Sequence, residues 1–170
     1  MLPVSFESSL LSDLNKFNLD CGYDFTIIPI GNTAFYSDIK LLIFDDGTSF
    51  SIITDTVQEV ILNNKLDCYS LFLTYSLCEY INGDRSYIVE SGQLGFIDLS
   101  EGLYLKNTHL RIVKSLKIPK NLVNLEYLKL NEIMNSNFSS LIIYILSSIT
   151  IDDPLILQKK DTIINLLTIF

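Results

Sequence analysis

Apolar and polar positions follow two rhythms along this chain, and the change between them falls at Pro119. Before that point, apolar residues alternate with polar ones in short runs bounded by turn formers, which is the period of half-buried strands. The pattern predicts strands at Phe25–Ile28, Asp38–Phe44, Ser49–Thr54, Val57–Leu62, Cys68–Ile81, Arg85–Val89, Gln93–Leu99, Leu103–Leu105 and Leu110–Ile118. Asp45-Asp46-Gly47 and Asn82-Gly83-Asp84 mark hairpin turns, where glycine accepts the positive φ that a tight return requires. The run Cys68–Ile81 is long for one strand and implies a bend or bulge. Ahead of the strands, Phe6, Leu10, Leu14 and Phe17 predict a short amphipathic helix, N-capped by Ser5 and closed at Asn18 and Gly22.

After Pro119 the period lengthens to that of a helix. Leu122, Leu125, Tyr127, Leu128 and Ile133 predict a first helix, and Phe138, Leu141, Ile142, Ile145, Leu146 and Ile149 form a cleaner stripe for a second. Asp153 and Pro154 predict the cap and first position of a third, carrying Ile156, Ile163, Ile164, Leu167 and Phe170. The leucines between Leu122 and Leu130 have no second copy, so they do not define a repeat. Strands followed by helices indicate an α+β fold: an antiparallel β-barrel with a C-terminal helical layer. We divide it into residues 1–119, the short helix plus barrel, and residues 120–170, a helical subdomain for dimerisation or linkage, within one compact unit.

Composition narrows the function. With 12 basic residues against 20 acidic ones and a net charge of −8, the chain lacks the cationic surface that releases counterions from nucleic acid or docks to an anionic membrane. The uncharged stretch Asn137–Ile151 is too short for a bilayer span and contains four serines. Nothing at the N-terminus resembles an export signal. Cys21, Cys68 and Cys78 are odd in number and widely spaced, which fits reduced thiols in a cytoplasmic protein. Charged residues are only 19% of the chain, leaving apolar surface for a partner.

Candidate chemistry is sparse. His109 is the single histidine and has no nearby carboxylate cluster, so it reads as a strand-edge or turn residue rather than a metal ligand. No nucleophile elbow, phosphate loop or Cys–His pair appears. Asp45-Asp46 and Asp152-Asp153 stand where turns and caps want aspartate. The reading is therefore non-enzymatic, with no cofactor and no metal.

The most informative stretch runs from Cys78 to Val123. It contains Glu79-Tyr80-Ile81-Asn82-Gly83, then Tyr87-Ile88-Val89-Glu90-Ser91-Gly92-Gln93-Leu94-Gly95-Phe96-Ile97-Asp98, then Leu116-Lys117-Ile118-Pro119-Lys120-Asn121-Leu122. In this order of strand, turn, returning strand and Ile-Pro-basic closure the chain resembles the N-terminal domains of AraC/XylS-family transcription regulators. Phe138–Leu146 is similar to the helix that precedes the linker in virulence regulators of that family. The resemblance implies a cupin-like barrel that holds a small ligand, helices that pair two subunits, and DNA contact only through a C-terminal domain absent here. Ending on Phe170, inside an apolar helix, suggests a piece of a longer protein.

Two site expectations follow. The barrel strands carry Phe25, Phe50, Phe72, Tyr75, Phe96 and Tyr104; the pocket candidates are Phe72, Tyr75, Phe96, Tyr104, His109 and Arg111. The ligand would be small and apolar, or acidic and held by Arg85, Arg111 or His109. A barrel filled by its own side chains is the alternative. Leu141, Ile145 and Ile149 either form a homodimer interface or simply cover the barrel. A free-standing acidic module that binds another protein, as a chaperone or inhibitor does, is the other function these features allow.

Overall fold

In the computed structural model, which describes residues 2–32, 34–123 and 137–169, the period-two runs become strands. They are β1 (Leu2–Ser8), β2 (Phe25–Pro29), β3 (Ser37–Ile43), β4 (Ser49–Asp55), β5 (Gln58–Leu62), β6 (Cys68–Thr74), β7 (Cys78–Asn82), β8 (Arg85–Val89), β9 (Leu94–Asp98), β10 (Leu103–Asn107) and β11 (Arg111–Pro119). The helices are α1 (Leu11–Asp20), α2 (Asn137–Ser148) and α3 (Ile156–Thr168). The helix expected around Leu125, Tyr127, Leu128 and Ile133 lies outside the described residues.

Two antiparallel sheets face each other. One has the order β1-β3-β4-β11-β6-β9, the other β2-β5-β10-β7-β8. Apolar side chains of the inner faces, together with Leu14 of α1, build a core that includes Ile27, Ile39, Val60, Phe72, Leu105 and Val113. The six-stranded sheet is apolar on its other face too. There Leu42, Phe50, Leu71, Leu116 and Ile118 meet Ile142, Ile145, Leu146 and Ile149 of the α2 segment and Ile156, Ile163 and Leu167 of α3. Burying a side chain of this size is worth about 1.5–3 kcal/mol. The second core is therefore what holds the helices on the barrel. The architecture is a cupin-like, β-rich α+β fold.

Two polar ties supplement that core. Lys160 of α3 is buried, and its ammonium bonds Asp46 in the β3–β4 hairpin. Lys114 of β11 donates to the carbonyls of Ser147 and Ile149, the latter at 2.7 Å, and so satisfies the orphan carbonyls at the end of α2.

Three local expectations need correction. Residues Leu2–Ser8 form an edge strand rather than the start of the first helix, pairing with β3 from Leu2↔Ile43 to Ser8↔Ser37. Val4 and Phe6 alternate with Ser5 and Glu7, and that period-two pattern wins over the single coincidence of Phe6 with Leu10. The helix starts after Ser8, whose Oγ accepts from Leu10 N at 2.9 Å and donates to Asp13 at 3.0 Å. The run Cys68–Ile81 is two strands in different sheets, broken at residues 75–77, because β6 ends where the chain crosses from one sheet to the other. Asp153 caps a turn instead of α3 itself: its Oδ1 accepts from Leu155 N at 2.9 Å, and the helix begins at Ile156.

Candidate functional site

The space between the sheets is not filled. A cavity of about 170 Å³ lies there, walled by the inward positions of successive strands. The wall includes Ser49, Ser51, Ile53 and Asp55 of β4, Arg111, Val113, Ser115 and Lys117 of β11, and Leu14, Phe17 and Asn18 of α1. Alternation produces this directly, since every second residue of a strand faces the same side.

One end of the cavity is polar and neutral. Arg111 and Asp55 are register partners, both buried, and their side chains form an ion pair. Ser37, the partner of Asp55 on β3, donates to its Oδ1 at 2.7 Å. Gln58, at the start of β5, lines the same cavity and is 2% exposed. Its Oε1 and the Nε of Arg111 have no hydrogen-bond partner. Asn107 is held nearby by Nδ2 bonds to the carbonyls of Thr56 at 3.0 Å and His109 at 3.2 Å. Across the wall, Ser70 and Ser115 share a hydrogen bond of 2.9 Å.

The other end of β11 carries Lys117, half-buried, with its ammonium 4.2 Å from the centre of the Tyr23 ring. Cys21 lines this region and Cys78 the wall beside Arg111. Burial pushes both thiols above their ordinary range; Asp20 adds to the effect at Cys21 and Glu79 at Cys78, against the pull of Lys117 and Arg111 respectively. Neither is poised as a thiolate nucleophile. Among the described residues no three His, Cys, Asp or Glu side chains gather as a metal-ligand group.

Of the pocket candidates, Phe72 and Arg111 line the cavity together. The other four do not. Phe96 packs on the opposite face of its sheet, its ring centre 5.2 Å from that of Tyr69. Tyr104 alternates with the inward Leu103 and Leu105 and so faces out, Tyr75 lies exposed beyond the end of β6, and His109 is exposed in the turn before β11. Arg85 is exposed at the start of β8. Ile145 and Ile149 face the barrel and are buried, whereas Leu141 is 43% exposed beside Tyr144 at 71%. Asp55, Gln58, Lys117 and the residues of α1 were missed. The available signal was the alternation in β4, which puts Asp55 on the same face as Ile53.

Fold and cavity together define a small cupin-like barrel domain with a helical layer. Among solved structures, the AraC-like transcriptional activator CuxR matches it with a TM-score of 0.72, covering 99% of this chain and 69% of that one at 14% identity. The chain thus has the fold of an AraC-like activator over nearly its whole length. Weaker matches include ectoine synthase from P. lautus (TM-score 0.41, 14% identity, 52% of this chain and 67% of that one). A predicted oxalate decarboxylase from Thermotoga maritima is similar at TM-score 0.40 and 12% identity, over 49% of this chain and 81% of that one. At such scores they decide nothing about chemistry. No protein-family model and no curated protein matches the sequence. No helix among the described residues is long and apolar enough to cross a membrane.

Proposed function

We propose that this chain is the regulatory part of an AraC-type transcription activator, a cytoplasmic ligand-sensing and dimerisation domain that does not itself bind DNA. The observation that carries the reading is the position of β11. Its odd residues, Arg111, Val113, Ser115 and Lys117, wall the cavity. Its even residues hold the helices: Leu116 in the shared core and Lys114 on the α2 carbonyls. A ligand that prefers one setting of this strand shifts the helices with it, as differential binding to two states requires. The likeness to an AraC-like activator supports the class, and the acidic balance supports the absence of direct DNA contact. The reading is non-enzymatic: Asp55 and Arg111 are engaged with each other, and burial raises the lining thiols of Cys21 and Cys78 above their ordinary range, away from the thiolate.

For dimerisation, the surface we assign is the exposed side of α2 with Phe138, Leu141 and Tyr144, since Ile145 and Ile149 are already used inside. The test is a fusion of this chain to a DNA-binding module that represses a reporter only as a dimer. Repression is expected, and Leu141→Asp should abolish it while leaving the fold intact. A fusion that stays inactive, with a monomer throughout a light-scattering concentration series, would remove dimerisation from the reading.

A further inference from the structure

We infer that the cavity takes a small, uncharged, mainly apolar molecule bearing one hydroxyl group, and that Gln58 and Arg111 hold that group; this rests on the ligand-sensing reading above. The polar end of the cavity has no net charge to offer, because the guanidinium of Arg111 is already paired with Asp55. Asp55 has in turn committed Oδ1 to Ser37 and Oδ2 to Arg111. A carboxylate entering here would have to displace Asp55 or lie against its charge in a low-dielectric interior.

Among the described residues that line the cavity, the buried polar atoms without a partner are one donor and one acceptor, Arg111 Nε–H and Gln58 Oε1, on residues that are 9% and 2% exposed. Buried polar groups left without partners are costly, and a ligand that meets both relieves that cost. A hydroxyl can donate to the Gln58 oxygen and can accept from the Arg111 Nε–H. It also serves Gln58 if the amide is turned over, since an O–H both donates and accepts. The body of the ligand meets aliphatic and aromatic wall: Ile27, Ile53, Val60, Phe72, Leu105 and Val113. The volume of about 170 Å³ is close to that of a cavity of about 150 Å³ that admits benzene, so the ligand is small. Lys117 does not recruit an acid to the polar end, because it stands six residues along β11 with its ammonium on the Tyr23 ring.

The experiment is calorimetric titration of the purified chain with 1-octanol, octanoate and benzene at neutral pH, repeated on Gln58→Leu. We expect 1-octanol to bind and octanoate to bind at least about tenfold more weakly. Gln58→Leu removes an unpartnered buried acceptor, so it should melt no lower than the parent; it should lose roughly tenfold in affinity for 1-octanol and nothing for benzene. Octanoate binding more tightly than 1-octanol, or Gln58→Leu weakening both probes equally, overturns the hydroxyl assignment and leaves the sensing cavity standing. Failure of all three probes to bind the folded parent overturns the hydroxyl assignment and the cavity reading together.

Discussion

The outer end of the Phe72 ring packs on the bare backbone of Gly95, its register partner on β9. A Cβ placed at residue 95 would stand 2.0 Å from the ring's Cζ, far inside van der Waals contact. An aromatic laid across a glycine at the sheet edge both covers the bare backbone and fixes the ring as a wall of the cavity. Gly95→Ala must therefore push Phe72 toward the cavity or lift β9 away. We expect a loss of about 1–3 kcal/mol in urea unfolding, partly restored by adding Phe72→Leu. A Gly95→Ala protein as stable as the parent would contradict this packing.

The Arg111–Asp55 pair predicts an asymmetric mutational response. Asp55→Asn leaves a buried guanidinium without its counter-charge and should cost about 3–5 kcal/mol. Replacing both residues by apolar ones, as Asp55→Leu with Arg111→Met, should cost far less than the single change, because no charge is then stranded. Denaturant midpoints of the single and double variants check the prediction.

Acid sensitivity should localise to the tie between hairpin and α3. Burial raises the Asp46 carboxyl, but hydrogen bonds from Lys160 and Thr48 outweigh it and bring the group down to about 2. A carboxylate depressed on folding contributes stability above its unfolded value, near 4, and that contribution is lost as pH falls toward about 2. Asp98, held by Lys120 and Ser100 against its own burial, is lowered in the same sense. Asp46→Asn should reduce stability at neutral pH and make the acid limb of a stability–pH curve shallower. An unchanged limb would show that the ion pair does not form.

Lys114 should matter to the helical layer more than to the barrel. Its burial and the nearby Lys159 both lower its pKa, yet it is the donor that closes the end of α2. Lys114→Met should cost about 1–2 kcal/mol. Hydrogen exchange should quicken at the end of α2 and stay unchanged in β2 and β5.

Most strands were readable because their cause is local. Alternation places Phe50 and Ile53 on opposite faces whatever else the chain does, and Gly47 and Gly83 take the positive φ their turns need. The apolar stripe of α2 was equally plain, and so was the order of strands before helices. The resemblance to AraC-type regulators was legible from the segment between Cys78 and Val123, although the sequence is only 14% identical to the activator whose fold it shares.

Other features were decided by contacts between distant segments. Whether Tyr75, Phe96 and Tyr104 face the cavity depends on which side of a sheet is inner, and the six-stranded sheet has two buried faces. Aromatic content alone cannot choose between them. The same holds for Ile145 and Ile149, which a dimer or the barrel would bury equally well. Arg111 and Asp55 lie 56 residues apart, and only the pairing of β11 with β4 makes them neighbours. Local alternation thus determined the elements and their faces. The closure of two sheets around an unfilled centre, a long-range packing outcome, decided which faces became the cavity, which charges paired there, and which buried polar atoms were left without partners.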